Sequence, residues 1–373
     1  MNETTPVVPR TIVIHSVGLL GGSLGLALKA SGFDGTIIGL SSPAAIQTAK
    51  NLGCIDEGYG YDALSDAVAR ADAVFICSPI LAIIECLEKL GSLSLPEGLL
   101  VTDVGSTKRT IVGAAREFLP EHVHFVGGHP MSGSEKSGPS AADPYLFQNA
   151  LYVLTPPGGA PADRDTAFAA FLKRYLGCRH AFLDPEVHDT IAATVSHVPH
   201  LLAVALVNLA KAADDRLPGT LQLAAGGFRD VTRIASAPYA MWHDILTTNK
   251  ETIAPILDAC AQLLTRMRAD LFDDNLGEQF DRAQRAREQI PSDRKGFINP
   301  LHEVLVVAKD QPGIIASISQ SLAAENINIK DIEVVKVREG EGGTIKLGFD
   351  GQATAIRAIE VLGRHGFSAW ERK

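Results

Sequence analysis

Short β-branched runs alternate with amphipathic helical patterns from Thr11 to about Asp184. The strand candidates are TIVIHSV, TIIGL, AVFICSP, LLVTDVG, HFVGG, LYVLTP and HAFLD. Strands that are joined by helices return in the same direction, so this alternation favours a largely parallel sheet with helices on its faces. Residues 1–184 are therefore predicted to form a doubly wound α/β domain.

The β signals end where a helical region begins. Asp184 and Pro185 form a typical helix start, an N-cap followed by proline at the first helical position. Residues 185–290 are predicted to be all-α, and residues 291–300 (PSDRKGFINP) are predicted to be a linker. Residues 301–373 follow the order βαββαβ, which predicts a ferredoxin-like unit.

Charge and composition narrow the range of partners. The 373 residues carry a net charge of -9, which argues against a nucleic-acid backbone as ligand. The five cysteines include no CxxC pair, and the N-terminal segment lacks the apolar core of a signal peptide. The longest apolar run, Leu201–Val207, is too short to span a bilayer. We expect a cytoplasmic protein that binds neither nucleic acid nor membrane.

A glycine-rich turn follows the first predicted strand. The segment SVGLLGGSLG, residues 16–25, matches the dinucleotide-binding pattern GxGxxG except that Ser16 takes the place of the first glycine. Gly18 and Gly21 stand where backbone approaches a pyrophosphate and where helix meets strand. The pattern predicts a Rossmann-like domain that binds NAD or NADP; the alternative is a plain tight turn. If the first position requires a positive φ, Ser16 costs about 1–2 kcal/mol.

The end of the second predicted strand should select between NAD and NADP. An acidic residue there would bind the ribose 2′-hydroxyl of NAD. The segment GLSSPAA, residues 39–45, contains no carboxylate to repel a 2′-phosphate and no arginine to bind one, so NADP is slightly favoured and NAD stays open. The predicted cofactor-binding residues are Ser16, Gly18, Leu19, Leu20, Gly21, Ser41, Ser42 and Ser78.

A single histidine lies in the glycine-rich loop VGGHPMSGSEKSG, residues 126–138. His129 falls just past the HFVGG strand, at the edge where open α/β sheets bind ligands. A neutral imidazole is a suitable base for a hydroxyl proton near pH 7. The alternative is a loop histidine that bonds to the backbone. Ser106, in TDVGSTK, follows another strand and is expected at the same edge.

Polar residues also mark the start of the helical region, in PEVHDTIAATVSHVPH at residues 185–200. At about 100° per residue, Asp189 and His200 point about 20° apart, and His197 points about 80° from Asp189. Pro199 should kink the helix beside both histidines. This face could line a binding site, hold zinc, or be an exposed polar face. No metal is predicted, because no motif of the HExxH kind accompanies the histidines.

A later segment, GGFRDVTRI at residues 226–234, places Arg229 and Arg233 one helical turn apart. Arginine is well suited to bind a carboxylate through two hydrogen bonds. Asp230 could instead form an ordinary intrahelical ion pair with Arg233. Trp242 follows in MWHD, where a packing role is the alternative to a binding role.

Taken in order, TDVGSTK, VGGHPMSGSEKSG, PEVHD…SHVPH and GGFRDVTRIA…MW resemble the prephenate/arogenate dehydrogenase family of tyrosine biosynthesis. The resemblance runs from the glycine loop to about Arg287. It implies a homodimer that catalyses oxidative decarboxylation of prephenate to 4-hydroxyphenylpyruvate, with hydride transfer to NAD or NADP. Arogenate as substrate, and a non-catalytic regulator that senses nucleotides or amino acids, are the alternatives.

The same resemblance implies roles for individual residues. His129 would take the proton from the ring hydroxyl, Ser106 would hydrogen-bond that hydroxyl or His129, and Arg233 would hold a substrate carboxylate. The residues expected to line or brace the pocket are Glu135, Asp189, His197, His200, Asp230 and Trp242.

Residues 301–373 resemble an ACT domain, through DQPG at residues 310–313 and NIN at residues 326–328. Several bacterial members of the family carry such a domain. The resemblance implies tyrosine as an effector, or a role that is limited to subunit contacts. The implied effector-binding residues are Asp310, Pro312, Gly313 and Asn326.

Overall fold

The computed structural model describes residues 9–133, 136–273, 275–290, 301–309, 311–338 and 342–372. The chain divides into two compact units, Met1–Asp281 and Arg282–Lys373. The first unit contains the α/β region and most of the all-α region, and the second contains the ferredoxin-like region.

The N-terminal unit is built on one eight-stranded sheet. Its strands are β1 Thr11–His15, β2 Thr36–Leu40, β3 Glu57–Tyr59, β4 Ala73–Ile76, β5 Leu100–Asp103, β6 His124–Pro130, β7 Leu151–Thr155 and β8 Arg179–Phe182. They lie in the order β3-β2-β1-β4-β5-β6-β7-β8, and only the β6–β7 pair is antiparallel. The chain changes its direction of winding between β1 and β4, which is where doubly wound sheets bind ligands. The predicted fold class is confirmed.

Six helices cover the two faces of this sheet. They are α1 Leu19–Ala30, α2 Pro43–Asn51, α3 Leu64–Val68, α4 Ile80–Gly91, α5 Arg109–Phe118 and α6 Asp163–Leu176. One hydrophobic core lies under α1 and α6, and the other lies under α4 and α5. Strand β3 was not predicted, because its three residues, EGY, contain no β-branched side chain and are too few to show a period.

The helical region begins at the predicted position. The carboxylate of Asp184 accepts hydrogen bonds from the backbone N–H groups of Glu186 and Val187, at 2.8 and 3.3 Å. The helices are α7 Pro185–Ala192, a π-helical segment Ala193–His197, α8 Val198–Asp214, α9 Gly226–Thr232, α10 Tyr239–Asp270 and α11 Gly277–Glu288. The regular helix expected across residues 185–200 is therefore wrong, since a wider turn separates α7 from α8.

The continuous helix Pro185–Asp214 is long and apolar enough to cross a membrane by length and composition alone. Its first half instead buries Asp189, His197 and His200 within the N-terminal unit. Its second half exposes the leucines Leu206 and Leu209. Further leucines are exposed on α10, so the helical region carries unburied apolar surface.

The C-terminal unit has the predicted βαββαβ order. Its elements are β9 His302–Ala308, α12 Ile314–Ala324, β10 Asp331–Arg338, β11 Gly342–Phe349, α13 Gln352–Arg364 and β12 Ala369–Glu371. The strands form an antiparallel sheet in the order β10-β11-β9-β12, and both helices contribute to one hydrophobic core with it. This is the predicted ferredoxin-like topology.

We expect Gly25→Ala to destabilise the N-terminal unit by about 1–3 kcal/mol, the usual range for an overpacked core. A Cβ at this position in α1 would lie 2.0 Å from the backbone oxygen of Cys54, which cannot move as a flexible side chain would. Gly113→Ala in α5 is the matched control, because a Cβ there meets nothing within 4 Å. Urea unfolding at fixed protein concentration should show a lower midpoint for the first variant and an equal or higher one for the second. Equal midpoints for the two variants would contradict this view of the packing.

Candidate active site

The carboxyl ends of β1, β4, β5 and β6 meet at one edge of the sheet because these strands are parallel. Ser16 follows β1, Ser78 follows β4, Ser106 follows β5, and His129 lies at the end of β6. Four of the predicted site residues are thereby placed along the same edge.

The glycine-rich turn between β1 and α1 has the shape that a dinucleotide site needs. Ser16 adopts a φ of 73°, so the first fingerprint position does require the left-handed region. A Cβ at Gly21 would lie 2.5 Å from the backbone oxygen of Ser16, whereas a Cβ at Gly18 would meet nothing within 4 Å. Helix α1 begins with no side-chain cap and no acidic residue in its first turn. Its N-terminal amides thus suit the pyrophosphate of a dinucleotide.

A cluster of uncharged polar side chains lies beside this turn. The Tyr61 hydroxyl donates to Ser16 Oγ at 3.3 Å and lies 3.5 Å from Ser41 Oγ. The Tyr61 ring also contacts the His15 ring, with centroids 4.9 Å apart, and His15 Nδ1 lies 2.9 Å from Ser78 Oγ. Burial lowers the pKa of His15 to about 4, and Lys89 adds to the shift. The cluster is therefore neutral at pH 7 and contains the hydroxyl groups that can bind a ribose.

Two members of the cluster were not predicted. Tyr61 comes after the unpredicted strand β3, so its approach to Ser16 could not be inferred from spacing. His15 lies within the predicted first strand, and the sequence did not indicate that the strand ends at His15, next to the cofactor edge. Ser42 lies outside the cluster and caps α2, accepting from the Ala45 backbone N–H at 3.4 Å.

His129 belongs to a strand and not to the predicted loop. Strand β6 runs to Pro130 because β7 pairs with it in antiparallel fashion, with His129 opposite Val153. Gly128, next to His129, is required for the close packing of β6 against β5 and not for contact with a substrate. A Cβ at Gly128 would lie 2.5 Å from the backbone oxygen of Asp103. The backbone of His129 is thus held by sheet pairing, and only its side chain faces the site.

A fully buried ion pair underlies this strand end. The Lys108 ammonium donates to the Asp103 carboxylate and, at 2.7 Å, to the carbonyl oxygen of Gly128. Asp103 in turn accepts from the backbone N–H groups of Gly105 at 2.7 Å and Gly128 at 3.1 Å. Each charged group has several partners, which a buried pair needs in order to be tolerated. These bonds fix the ends of β5 and β6 relative to each other.

His129 forms a hydrogen-bonded chain with two residues of α7. His129 Nδ1 lies 2.8 Å from His188 Nε2, and His188 Nδ1 lies 2.8 Å from Asp189 Oδ1. The Asp189 carboxylate also accepts from the backbone N–H groups of Lys108 at 2.7 Å and Arg109 at 3.0 Å. His188 was not predicted as a site residue, although PEVHD was recognised as a motif. Its position next to Asp189 was the available signal.

The π-helical segment Ala193–His197 determines which residues after it lie on the same face of the helix as Asp189. One additional residue in the turn shifts the following helix by roughly 100°. His197, and not His200, is then in line with Asp189. Asn249 on α10 donates to the Asp189 carbonyl at 3.0 Å and lies 3.3 Å from His197 Nδ1. The predicted alignment of Asp189 with His200 is wrong for this reason.

His200 instead packs against the predicted aromatic residue. Its ring stacks on Trp242 with centroids 3.7 Å apart and planes at 18°, while the His197 ring meets Trp242 edge-on at 6.0 Å. Trp242 therefore packs against both histidines.

The remaining predicted site residues are Arg233, Asp230, Ser106 and Glu135. Arg233 and Asp230 are exposed, and Arg233 lies in a 3-10 turn after α9 ends at Thr232. Within the described residues Asp230 forms no ion pair, so the intrahelical pair with Arg233 is not formed. Ser106 is half-buried, and within the same residues the direct partner of His129 is His188. Glu135 lies outside the described residues.

Burial keeps three imidazoles of the site, those of His129, His197 and His200, neutral at pH 7. Burial lowers the pKa of His129 well below its usual value, and His188, Lys108 and His197 lower it further. Burial also lowers the pKa of His197, to about 4, and that of His200. A neutral imidazole can accept a proton, so His129 can act as a base. Across the described part of the chain, no cluster of three or more His, Cys, Asp or Glu side chains could hold a metal ion.

In the C-terminal unit, the predicted effector residues that the structure describes lie at the two ends of α12. Pro312 and Gly313 precede α12, and Asn326 follows it. An 11-residue helix is about 16 Å long, so these residues lie at its opposite ends. Gly313 and Asn326 both have positive φ, 85° and 58°, as exposed turn residues do. Asp310 lies outside the described residues.

Comparison with known proteins agrees with this geometry. Residues 24–177 match the family model described as prephenate dehydrogenase, nucleotide-binding domain, and residues 184–283 match prephenate dehydrogenase, dimerization domain. The prephenate dehydrogenase of Bacillus subtilis (strain 168) is 37% identical over 359 residues, which cover 94% of this chain and 95% of that relative.

Two solved structures are also similar. A prephenate dehydrogenase from A. aeolicus, in complex with hydroxyphenyl propionate and NAD+, has a TM-score of 0.66 and 30% identity over 75% of this chain and 96% of its own. A Synechocystis arogenate dehydrogenase has a TM-score of 0.62 and 28% identity over 74% and 98% of the two chains. The ordered motifs, the Rossmann-like sheet and these similarities lead to one conclusion: the chain belongs to the prephenate dehydrogenase family.

Proposed function

We propose that this protein oxidatively decarboxylates prephenate to 4-hydroxyphenylpyruvate, with NAD or NADP as the hydride acceptor. The proposal is carried by a neutral His129 at the same sheet edge as an uncapped helix N-terminus of the dinucleotide-binding type. The Bacillus subtilis relative is named a prephenate dehydrogenase, and the A. aeolicus structure contains NAD+ and hydroxyphenyl propionate, which supports the proposal.

The reaction requires one hydride acceptor and one base. When bound, the oxidised nicotinamide accepts hydride from the ring carbon that bears the hydroxyl group. His129 would accept the hydroxyl proton as the C–O bond becomes a carbonyl. Loss of carbon dioxide then makes the ring aromatic, which provides a large driving force, and the phenolate oxygen of the product takes the proton back from His129. The protein's contribution is to hold the substrate in a reactive position and to accept the proton.

The substrate-binding residues stay a prediction. Arg233 would bind a carboxylate of the dianionic substrate, because a guanidinium offers two parallel N–H donors. Ser106 would bind the ring hydroxyl and so place it beside His129. The residues proposed to surround the remainder of the substrate are His197, His200, Trp242, Asp230 and Glu135, with Asp189 bracing the site from beneath.

We also propose that the protein is a cytoplasmic homodimer. The matching family model is described as a dimerization domain, and the helical region exposes Leu206 and Leu209 on α8 and Leu263 and Leu264 on α10. Exposed apolar surface of this kind is typical of a subunit interface.

The proposed activity is tested by turnover of prephenate and of arogenate, each with NAD and with NADP. We expect turnover of prephenate at least about tenfold above that of arogenate in kcat/KM, a difference of about 1.4 kcal/mol in transition-state binding. Both cofactors should support turnover, because the cluster of Ser16, Ser41 and Tyr61 is uncharged. Turnover of arogenate alone would contradict the substrate assignment. Cofactor binding without any turnover would instead favour a regulator.

The pH dependence of kcat/KM should reflect the shifted pKa of His129. The base must be neutral, so activity is lost as the pH falls through its pKa. Since burial lowers that pKa, we expect the acidic limb to have its midpoint below the ordinary histidine value of about 6.5, with full activity retained at pH 7. A midpoint above about 7 would show that the charged imidazole is stabilised in the free enzyme, contrary to its burial.

We propose that the C-terminal unit binds tyrosine as an inhibitor. Pro312 and Gly313 lie about 16 Å from Asn326, so a site that used both ends of α12 would need residues from two copies. Inhibition by tyrosine should therefore be absent from a chain that ends at residue 290, while its turnover of prephenate persists. Unchanged inhibition of the shortened chain would place the effector site in the N-terminal unit.

A further inference from the structure

The chain of His129, His188 and Asp189 contains two imidazoles, but the proposed reaction uses only one as a base. His188 is 3% exposed and Asp189 is 1% exposed, so neither is positioned to contact a substrate directly. Both make short hydrogen bonds in a line that ends at His129. Their arrangement determines where the protons of that line are located.

The proton positions follow from Asp189 outward. Its carboxylate accepts the backbone N–H groups of Lys108 and Arg109, and a carboxylate has no proton to donate. The hydrogen bond between Asp189 and His188 Nδ1 therefore places a proton on that nitrogen. In the tautomer with its one ring proton on Nδ1, His188 accepts at Nε2.

The proton of His129 is located by the same hydrogen-bond pattern. Since His188 Nε2 accepts, His129 Nδ1 donates across the 2.8 Å hydrogen bond that joins them. The single proton of the neutral His129 ring is then on Nδ1, and Nε2 carries a free lone pair. Among the described residues, Nε2 of His129 has no hydrogen-bond partner, so it is the nitrogen available to a substrate hydroxyl.

We propose that His188 and Asp189 are positioning residues that hold His129 in the tautomer required for proton abstraction. This inference rests on the proposed function. As the reaction proceeds, the proton of the ring hydroxyl moves to Nε2 of His129, and its O–H bond breaks as the N–H bond forms. The resulting imidazolium donates its Nδ1–H to His188, whose lone pair is polarised by the carboxylate of Asp189. The charge formed on His129 is stabilised without contact between Asp189 and the substrate.

The test compares His188→Leu, which removes the acceptor, with His188→Gln, whose amide oxygen can still accept from His129. We expect His188→Leu to lower kcat by about 10²-fold, with the KM for prephenate and the Kd for the cofactor within threefold of the parent. His188→Gln should retain kcat within about tenfold of the parent, because the tautomer is still specified.

His124→Leu provides a matched control. His124 is the first residue of β6 and His129 the last but one, and the Nε2 of His124 lies 2.9 Å from Asp165 Oδ1. This variant also removes a histidine that is paired with a buried carboxylate, but at the opposite edge of the sheet. Its kcat should stay within twofold of the parent. An equal loss of kcat in His124→Leu and His188→Leu would reduce His188 to a stabilising role and overturn the proposal.

His129→Asn distinguishes the role of His129 as the base from the positioning role of His188. If it loses at least 10²-fold in kcat while His188→Leu loses nothing, His129 remains the base and the positioning role is refuted. If His129→Asn keeps full turnover, the proposed base is wrong and the positioning role falls with it. In the double variant, the His188 change should add little to the loss, because the two residues act as one unit.

A spectroscopic measurement on the parent protein tests the tautomer even if His188→Leu does not fold. With ¹⁵N-labelled histidine in the intact protein, the ring nitrogens of His129 can be assigned by their loss in His129→Asn. We expect the proton of the neutral ring on Nδ1 in the parent, and a shift of population toward Nε2 in His188→Leu. A parent protein with that proton on Nε2 would overturn the proposal.

Discussion

The buried carboxylate of Asp189 connects the two parts of the N-terminal unit at the point where the chemistry is proposed to occur. It belongs to α7, yet it accepts the backbone N–H groups of Arg109, the first residue of α5, and of Lys108 just before it. Helix α5 has no side-chain cap of its own. A helix N-terminus is partly positive, so a carboxylate there gains both hydrogen bonds and a favourable dipole. Oδ1, which accepts from Lys108, also lies 2.8 Å from His188 Nδ1, while Oδ2 accepts from Arg109. Movement of α7 against the sheet would leave a charge buried without partners, which is costly. The helical region is thereby held in one position over the strand ends.

Much of this architecture could be predicted from the sequence, because strand and helix periods extend over many residues. The seven strand candidates and the Asp184–Pro185 helix start were found in this way. Features that leave no local pattern in the sequence were not predicted. The three-residue strand β3 has no period, and Tyr61 after it reaches Ser16 only through the tertiary fold. The π-helical turn left no visible mark, although Pro199 lies just beyond it, and the assumption of 100° per residue therefore aligned His200 with Asp189.

For the site residues too, the motifs predicted which residues matter, but the contacts between them depend on the tertiary structure. His129 was predicted from its glycine-rich surroundings, but the glycine beside it serves the close approach of β6 to Asp103. His188 stood in a recognised motif and was passed over, because its significance is the 2.8 Å contact with His129 across the domain. Ser16 shows the reverse case. The expected cost of a non-glycine residue at a positive φ is present, and its hydroxyl has found a partner in Tyr61.

The wider turn at Ala193–His197 has a consequence for the long helix that contains it. In a regular helix, the angle between any two side chains is fixed by the number of residues between them. The inserted residue divides Pro185–Asp214 into two stretches with separate phases. The stretch before it is held by the contacts of Asp189 with Lys108 and Arg109. The stretch after it buries His200 and exposes Leu206 and Leu209. The angle between the buried carboxylate and the outer leucines is thus set by one additional residue in the helix and not by the regular helical period.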